Sequence, residues 1–353
     1  MTVIDIHGAA YGDNFGDVLI HSILSNELSQ RGFATRWPLS APKFRDHQRS
    51  LGWTPRTKLL RRSRGIIFGP GGYLSGGHGA DSFAERSRWN RRFYSYHLPA
   101  LLASHGIERT AFFGIEIGPV PGRISNAAIR TVVEAAQLVA VRTQESASWL
   151  VDTWGVTSSV IPDVALNLKP PGASPCEKNG GALLHVGNPR LWRADTRLRE
   201  TFQRLSQDYP TKIITDTSRL TRSTREAIVD TNLRNHLSPY SGVSDLLRTI
   251  SNSQIVVTTK LHVSICAYAL GVPVVQLYQH LKTQRFNAAT ASQGQALRSL
   301  KEFAPSDLPE LIEAASRSSL SLLWAENRRQ ERKRLSEAFD ALASSVGSSE
   351  LEC

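Results

Sequence analysis

Short apolar runs alternate with helical patterns along most of the chain, and this alternation predicts its architecture. Between the runs, apolar residues recur every three or four positions, as at Ile20, Ile23, Leu24 and Leu28. Strands that alternate with helices are typical of βαβ units and a parallel sheet. The apolar runs that we interpret as buried strands lie at residues 3–6, 65–68, 110–115, 138–141, 182–186, 211–215, 255–258 and 274–277.

A proline-rich break divides the chain in two. Residues 170–175 read Pro-Pro-Gly-Ala-Ser-Pro, which is typical of a linker between domains. We therefore predict an α/β protein with two Rossmann-like domains that face a central cleft. We place the N-terminal domain at 1–168, the C-terminal domain at 169–306, and a helical segment with a frayed tail at 307–353. Strand ends and helix N-termini line such a cleft, and helix N-termini attract anions.

Composition indicates a folded protein with an anionic partner. Hydrophobic residues make up 41% of the 353 positions and charged residues 21%, a balance that excludes a disordered chain. Because no run approaches the roughly 20 apolar residues of a membrane span, and the N-terminus lacks the layout of a signal peptide, we expect a cytoplasmic protein. The formal net charge of +11 indicates attraction to nucleic acid, anionic lipid or a phosphorylated substrate.

The basic stretch from Lys43 to Arg64 bears on which polyanion is the partner. Its aromatic residues are Phe44 and Trp53, too few for a base-stacking platform, so no nucleic acid partner is expected. Contact with an anionic membrane that carries a lipid-linked acceptor is a further hypothesis. The cysteines, at unrelated spacings, are expected to be reduced thiols rather than disulfides or a metal site. They are Cys176, Cys266 and Cys353.

The segment 255–277 contains the strongest candidate for chemistry. It comprises an apolar strand, a polar turn, an apolar helix and a second apolar strand, and its strongly polar side chains cluster at the turn. Lys260 and His262 therefore lie where a strand ends and a helix begins, so that a cation and a titratable imidazole adjoin an anion-attracting helix terminus. His262 and Cys266 have the spacing of two metal ligands, but core packing of Cys266 is the preferred interpretation.

Glycine-rich loops follow two other strands and are candidate ligand contacts. Asn14 lies in the first loop, and Asp17 is predicted to cap the helix after it. The second loop, 69–78, contains Gly71, Gly72 and His78 and permits close backbone approach to a ligand. It matches neither the GxxxxGK[ST] phosphate loop nor the GxGxxG dinucleotide fingerprint, which argues against ATP and NAD.

Two further cations follow predicted strands. Arg142 comes directly after the strand 138–141, and Lys282 lies beyond the strand 274–277. Each is placed to reach an anion in the cleft, although a solvent-exposed side chain is the alternative interpretation.

Taken in order, these motifs resemble those of the polysaccharide pyruvyl transferase family over about residues 5 to 290. The family usually has Arg-Leu-His where this chain has Lys260-Leu261-His262. Lysine keeps the positive charge but lacks the planar, two-pronged grip of arginine on a carboxylate or phosphate. The matching features are Asn14-x-Gly16-Asp17, Gly69–Leu74, Phe113–Pro119, Val141-Arg142 with Ser146, Pro162–Leu166, Lys260–His262 with Gly271–Pro273, and Tyr278 with Lys282 and Phe286.

The resemblance implies a fold similar to glycosyltransferase B and a pyruvyltransferase that needs neither cofactor nor metal. Phosphoenolpyruvate would be the co-substrate, bound on the C-terminal side, and a pair of hydroxyls on a glycan or glycolipid precursor the acceptor. Pyruvate would be attached as a cyclic ketal, with release of phosphate. His262 would protonate the enol methylene, while Arg142 and Lys260 would hold the carboxylate and phosphate.

The remaining candidates have weaker roles in this interpretation. Lys282 would add a phosphate contact, and His78 would help to position the acceptor. A glycosyltransferase that uses a nucleotide sugar is the alternative function, because it suits the same architecture.

Overall fold

The computed structural model describes residues 2–10, 14–38, 63–76, 83–168, 181–187, 195–215, 236, 242–278 and 296–347. The protein divides into two units. The N-terminal unit contains Asp17–Val164, the first strand, and the final helix from Arg332 onward. The C-terminal unit contains Ala165–Glu331 together with Asn14–Gly16. The final helix has residues in both units, up to Glu331 in the C-terminal unit and from Arg332 in the N-terminal unit.

The described part of the N-terminal unit contains a seven-stranded parallel sheet. Its order is β2-β1-β3-β5-β6-β7, and β4 pairs with β5 beside β3. Ile66 and Phe68 on β3 are fully buried, and the ring of Phe68 stacks on that of Phe112 with 4.7 Å between centroids. The strands are β1 (Thr2–His7), β2 (Phe33–Arg36), β3 (Gly65–Phe68), β4 (Gly71–Leu74), β5 (Arg109–Ile117), β6 (Leu138–Val141) and β7 (Ser159–Val160).

Helices connect these strands, and capping defines where one of them begins and ends. In the helix after β6, the side chain of Thr143 accepts from Ser146 N–H at the start, and Gly155 takes a left-handed conformation at the end. The helices are α1 (Phe15–Gln30), α2 (Phe83–Arg92), a π-helical turn (Phe93–His97), α3 (Leu98–Ser104), α4 (Arg123–Glu134) and α5 (Gln144–Trp154).

The C-terminal unit repeats this plan with a five-stranded parallel sheet in the order β12-β11-β10-β8-β9. Its central strands are buried on both faces, as their continuous apolar sequences require. The strands are β8 (Ala182–Val186), β9 (Thr211–Thr215), β10 (Ile255–Thr258), β11 (Val274–Tyr278) and β12 (Ala296–Ser299). The helices are α6 (Thr196–Asp208), α7 (Val243–Asn252), α8 (Leu261–Leu270), α9 (Leu308–Ser319) and α10 (Leu322–Gly347).

The predicted α/β class with parallel sheets is confirmed, but two local predictions are wrong. Asp17 does not cap α1, because the helix already begins at Phe15 and the side chain of Asn14 accepts from Gly16 N–H at 3.1 Å. The glycine-rich turn after β3 is shorter than expected, because Gly71–Leu74 pairs with β5 as strand β4. The final helix, α10, continues to Gly347.

Two further findings concern membranes and metals. None of the helices in the described ranges combines the length and apolar character needed to cross a membrane. Within those same ranges, no three histidine, cysteine, aspartate or glutamate side chains are grouped so that they could hold a metal ion.

Candidate functional site

Three neighbouring strands of the N-terminal sheet each bring a charged side chain to their carboxyl ends. Glu116 lies near the end of β5, Arg142 directly follows β6, and Asp163 follows β7. Arg142 Nε lies 2.9 Å and Nη2 2.7 Å from Glu116 Oε1, and Nη1 lies 3.3 Å from Asp163 Oδ2. The three side chains are at most 8% exposed. The sheet therefore builds a buried network of one cation and two carboxylates.

The charge of Arg142 is balanced inside this network. Burial by itself lowers the pKa of Arg142, but the charges of Glu116 and Asp163, with a contribution from Asp17, outweigh it and raise the pKa above its usual value. The formal charges of Arg142, Glu116 and Asp163 are +1, −1 and −1, so the network carries −1. Arg142 was predicted to hold a substrate anion, and that role stays a prediction. The geometry favours a different one, in which Arg142 positions two carboxylates.

Strand β4 lies over this network and supplies two of the predicted glycines. Gly71 has a φ of 136°, which a residue with a side chain rarely adopts. Gly72 is exposed, and a Cβ atom at this position would lie 2.6 Å from Glu116 Oε2 and 3.4 Å from Arg142 Nη2. A glycine at position 72 is therefore needed for the carboxylate of Glu116 to lie this close to strand β4.

A buried aromatic and imidazole cluster lies beside these glycines. His7, at the end of β1, has its Nε2 2.8 Å from Nδ1 of His97, and Tyr73 stacks on His97 with 4.7 Å between ring centroids. The Tyr73 hydroxyl donates to the carbonyls of His7 and Gly69 at 3.1 and 3.2 Å. This cluster was missed in the sequence, where the only hint was a histidine ending an apolar strand.

Burial keeps the histidines of this region neutral. Desolvation, with a smaller contribution from the charge of His21, lowers the pKa of His7 to about 3. Desolvation also lowers the pKa of His21 to about 3. For His97 the pKa lies well below its usual value, through desolvation and the charges of His7 and Arg92. These imidazoles hold the loop over the network in place rather than carrying charge at neutral pH.

In the C-terminal unit, Lys260 and His262 lie at the beginning of α8. Lys260 occupies the N-cap position with extended backbone, and its own side chain makes no capping hydrogen bond. Its backbone N–H donates to Thr258 Oγ1 at 3.0 Å, which fixes the turn, and Thr259 Oγ1 accepts from Gly187 N–H at 2.9 Å. The side chains of Lys260 and His262 are half-buried. A cation and an imidazole therefore flank a helix N-terminus whose N-cap residue supplies no capping acceptor.

Asn14–Gly16 belong to this same unit, and Gly16 lies against His262. A Cβ atom at Gly16 would collide with the imidazole ring, so a glycine is needed for His262 to take this position. Cys266 is buried and forms no disulfide in the described chain, in keeping with its predicted role in the core.

Beneath the turn, a row of polar side chains crosses the C-terminal sheet. His185, Thr258 and Gln276 are paired neighbours on β8, β10 and β11, and each is fully buried. Thr258 Oγ1 lies 3.3 Å from His185 Nδ1. The row was missed in the sequence, because a single polar residue in each strand says nothing about register. It supports the turn that carries Lys260.

The predicted site residues thus fall into two groups. Asp17, Gly71, Gly72 and Arg142 come together in the N-terminal unit, and Asn14, Lys260 and His262 lie in the C-terminal unit. His78 and Lys282 lie outside the described residues.

Comparison with known proteins gives one family and one fold. The model of the polysaccharide pyruvyl transferase family matches residues 14–280. A sequence search of curated proteins finds no match.

Three similar solved structures are an epimerase, a rhamnosyltransferase and a protein in complex with UDP and glucose. The UDP-GlcNAc 2-epimerase from Neisseria meningitidis, bound to UDP-GlcNAc, is 13% identical, with 98% of this chain and 100% of the other covered and a TM-score of 0.58. The spinosyn rhamnosyltransferase SpnG is 12% identical over 99% and 100%, with a TM-score of 0.55. Anabaena HepE in complex with UDP and glucose is 13% identical over 99% and 100%, with a TM-score of 0.56. The fold is therefore that of glycosyltransferase B enzymes and UDP-GlcNAc epimerases.

Proposed function

Because the chain belongs to the polysaccharide pyruvyl transferase family, we propose that it transfers pyruvate from phosphoenolpyruvate to two hydroxyls of a saccharide. The product is a cyclic ketal, and phosphate is released. The observation that carries the proposal is the start of α8, where a half-buried cation, Lys260, and a half-buried imidazole, His262, flank a helix N-terminus. A donor with a carboxylate and a phosphate suits such a place, since a cation and helix amides both stabilise anions.

The reaction needs a proton donor at the methylene carbon of phosphoenolpyruvate. In the proposed mechanism, the imidazolium of His262 donates this proton while the first sugar hydroxyl attacks C2 and releases its own proton to water, and the C2–C3 π electrons form the new C–H bond. The second hydroxyl then attacks C2, the bond from C2 to the phosphate oxygen breaks, and phosphate leaves with the electron pair. The neutral imidazole of His262 accepts the proton of this second hydroxyl, which restores the acid.

Lys260 stabilises charge throughout both steps. Lys260 is the N-cap residue of α8, and we propose that its ammonium group binds the phosphate while the phosphate gains charge on leaving. No step of this scheme is assigned to a metal or cofactor.

Replacing His262 tests the assignment. His262→Ala is expected to lower phosphate release from phosphoenolpyruvate by about 10²- to 10⁴-fold, the usual contribution of a general acid. The assay measures phosphate with a panel of p-nitrophenyl hexosides as acceptors. His105→Ala is the matched control, because His105 is an exposed histidine outside the site. Full turnover by His262→Ala would contradict the proposed role.

A nucleotide-sugar glycosyltransferase is the second candidate. It is favoured by the likeness in fold to a rhamnosyltransferase and to a protein in complex with UDP and glucose. Thermal stabilisation by UDP or GDP sugars, with none by phosphoenolpyruvate, would support this candidate over pyruvyl transfer.

We also propose that the acceptor is carried by a lipid and that the protein docks on an anionic membrane surface on the cytoplasmic side. Exposed arginines on α2, among them Arg86 and Arg91, adjoin Phe83, which is 87% exposed. Basic side chains with an exposed aromatic suit an anionic headgroup layer. Flotation with phosphatidylserine liposomes, but not with phosphatidylcholine liposomes, is expected, and equal flotation with both would contradict docking by charge.

A further inference from the structure

A buried hydroxyl holds the turn between β10 and α8 in the C-terminal unit. Thr258, the last residue of β10, is fully buried, and its Oγ1 accepts from Lys260 N–H at 3.0 Å. The same Oγ1 lies 3.3 Å from Nδ1 of His185 on the neighbouring strand β8. The hydroxyl therefore links the main chain of Lys260 to the edge of the sheet.

The residues on either side also fix the main chain at Lys260. Thr259 N–H donates to the carbonyl of His185 at 3.1 Å, and Thr259 Oγ1 accepts from Gly187 N–H at 2.9 Å. On the helix side, the carbonyl of Lys260 accepts from Ser264 N–H at 3.2 Å. Because both polar main-chain groups of Lys260 are bonded, the point at which its flexible side chain leaves the turn is fixed.

Thr258 supplies an acceptor at a helix start whose N-cap residue has none to offer. Ser, Thr, Asp and Asn are the usual N-cap residues, because their short side chains accept from the first helical amides. Here the N-cap residue is Lys260, whose side chain makes no capping hydrogen bond. Since an ammonium group is only a donor, the turn that carries it has to be fixed by another side chain.

The hydroxyl of Thr258 is not required by the strand itself. Strand β10 reads Ile-Val-Val-Thr and is buried throughout, a setting that suits valine as well as threonine. Val257 packs in the core with residues of α6, so side-chain alternation directs Thr258 to the opposite face of the sheet, where α8 packs. A buried hydroxyl is unfavourable unless it is hydrogen-bonded, and the bonds of this one lead to Lys260 and His185.

We propose that Thr258 is a positioning residue for the donor and acts through Lys260, an inference that rests on the proposed pyruvyl transfer. Its hydroxyl fixes the main chain of Lys260, so that the ammonium group is directed at the anionic groups of phosphoenolpyruvate before the donor binds. Such pre-organisation lowers the entropy that is lost on binding. Without the hydroxyl, the turn has to be ordered when the donor binds, which weakens binding although the cation is still present.

A substitution that removes only the hydroxyl tests this role. Thr258→Val keeps the shape of the side chain and is expected to raise the Kd for phosphoenolpyruvate in calorimetry about three- to tenfold, the equivalent of one lost hydrogen bond. Thr258→Ser keeps the hydroxyl and is expected to restore binding to within about twofold of the wild type. Binding by Thr258→Ser that is as weak as binding by Thr258→Val would contradict the role of the hydroxyl.

The matched control is Thr201→Val. Thr201 is a fully buried threonine of α6 in the same unit, and its hydroxyl donates to the carbonyl of Arg197 at 2.7 Å. Both valine variants are expected to lower the urea midpoint of unfolding, because each loses a buried hydrogen bond. Only Thr258→Val is expected to weaken donor binding, which a merely structural role would not produce.

A double-mutant cycle with Lys260→Met tests whether Thr258 acts through Lys260. If it does, Thr258→Val changes the Kd for phosphoenolpyruvate by less than about twofold once residue 260 is methionine, because the positioned group is already gone. A direct contact between Thr258 and the donor predicts the same fold-change in both backgrounds. Calorimetry measures the cycle, and kcat/KM for phosphoenolpyruvate in the phosphate-release assay replaces it where binding is too weak.

The outcomes separate this role from the proposed function itself. If the wild type binds phosphoenolpyruvate but releases no phosphate with any p-nitrophenyl hexoside, pyruvyl transfer is overturned, and the Kd of Thr258→Val still decides the role of Thr258. If the wild type binds no phosphoenolpyruvate, both are overturned. If the wild type is active and Thr258→Val binds the donor equally well, or loses as much with Lys260 as without it, the positioning role alone is overturned. Should Thr258→Val fail to fold, Thr258→Cys, whose thiol accepts only weakly, takes its place in the cycle.

Discussion

The two units use the carboxyl ends of their strands in opposite ways. In the N-terminal unit the cation Arg142 is buried between two carboxylates, and the network as a whole is negative. In the C-terminal unit Lys260 and His262 are half-buried at a helix start. The same parallel-sheet architecture thus carries a buried ion network in one unit and a half-buried cation and imidazole in the other, and this difference follows from single side chains rather than from the fold.

The helices that follow Arg142 and Lys260 also differ in how their first turns are capped. Thr143 caps α5 directly after Arg142, whereas α8 begins at Lys260 without a side-chain cap. A capped helix start has its first amides satisfied by the protein, and an uncapped one retains its attraction for an anion. The variants that follow compare how the two units respond to equivalent substitutions.

The largest difference is expected when each cation is replaced by an apolar side chain of similar length. Arg142→Met leaves Glu116 and Asp163 buried without their cation and is expected to lower the free energy of unfolding by about 3 to 5 kcal/mol. Lys260→Met, at a half-buried position, is expected to change it by less than about 1 kcal/mol. Urea unfolding measures both. Equal losses would contradict the distinction between a structural and a ligand-directed cation.

Acid is expected to destabilise the protein through its buried histidines. His7 and His21 have a pKa of about 3 when folded and about 6.5 when unfolded, so the unfolded chain binds more protons between these values. Their full stabilisation is therefore present above pH 6.5 and is lost as the pH falls toward 3. At pH 5 each histidine is expected to lower the free energy of unfolding by about 2 kcal/mol relative to neutral pH.

A non-titrating variant checks this pH dependence. His21→Leu is expected to remove about 2 kcal/mol of the difference in unfolding free energy between pH 7 and pH 5. The charges near the cluster, Arg92 and the other imidazoles, remain in that variant. An unchanged difference between the two pH values would show that His21 is not buried in its neutral form.

Local patterns in the sequence predict the sheets well. The strands at 138–141 and 255–258 were predicted to the residue, because each is a short, largely apolar run between helical patterns. Strands β2 and β12 were missed, since each has a single buried residue among four and lies at a sheet edge. An edge strand with little burial has no hydrophobic pattern to detect.

The candidate site was predictable only where its residues are close in sequence. Lys260 and His262 share one turn, so the pattern around them indicates their place. Arg142 is 26 residues from Glu116 and 21 from Asp163. Their pairing depends on which strands are neighbours in the sheet, and a single sequence does not contain that order. The sequence therefore indicated that Arg142 is a cation for the substrate. In the structure Arg142 lies between two carboxylates.

The smallest effects concern the two helix starts. Thr143→Ala removes the cap of α5 and is expected to lower the free energy of unfolding by about 1 kcal/mol. Lys260→Thr adds a capping hydroxyl to α8 and is expected to raise it by up to about 1 kcal/mol, while weakening phosphoenolpyruvate binding because both the cation and the uncapped amides are lost. Urea unfolding and calorimetry measure the two quantities. If Lys260→Thr binds phosphoenolpyruvate as the wild type does, the start of α8 is not the donor site, and the contrast between the units then reflects helix capping alone.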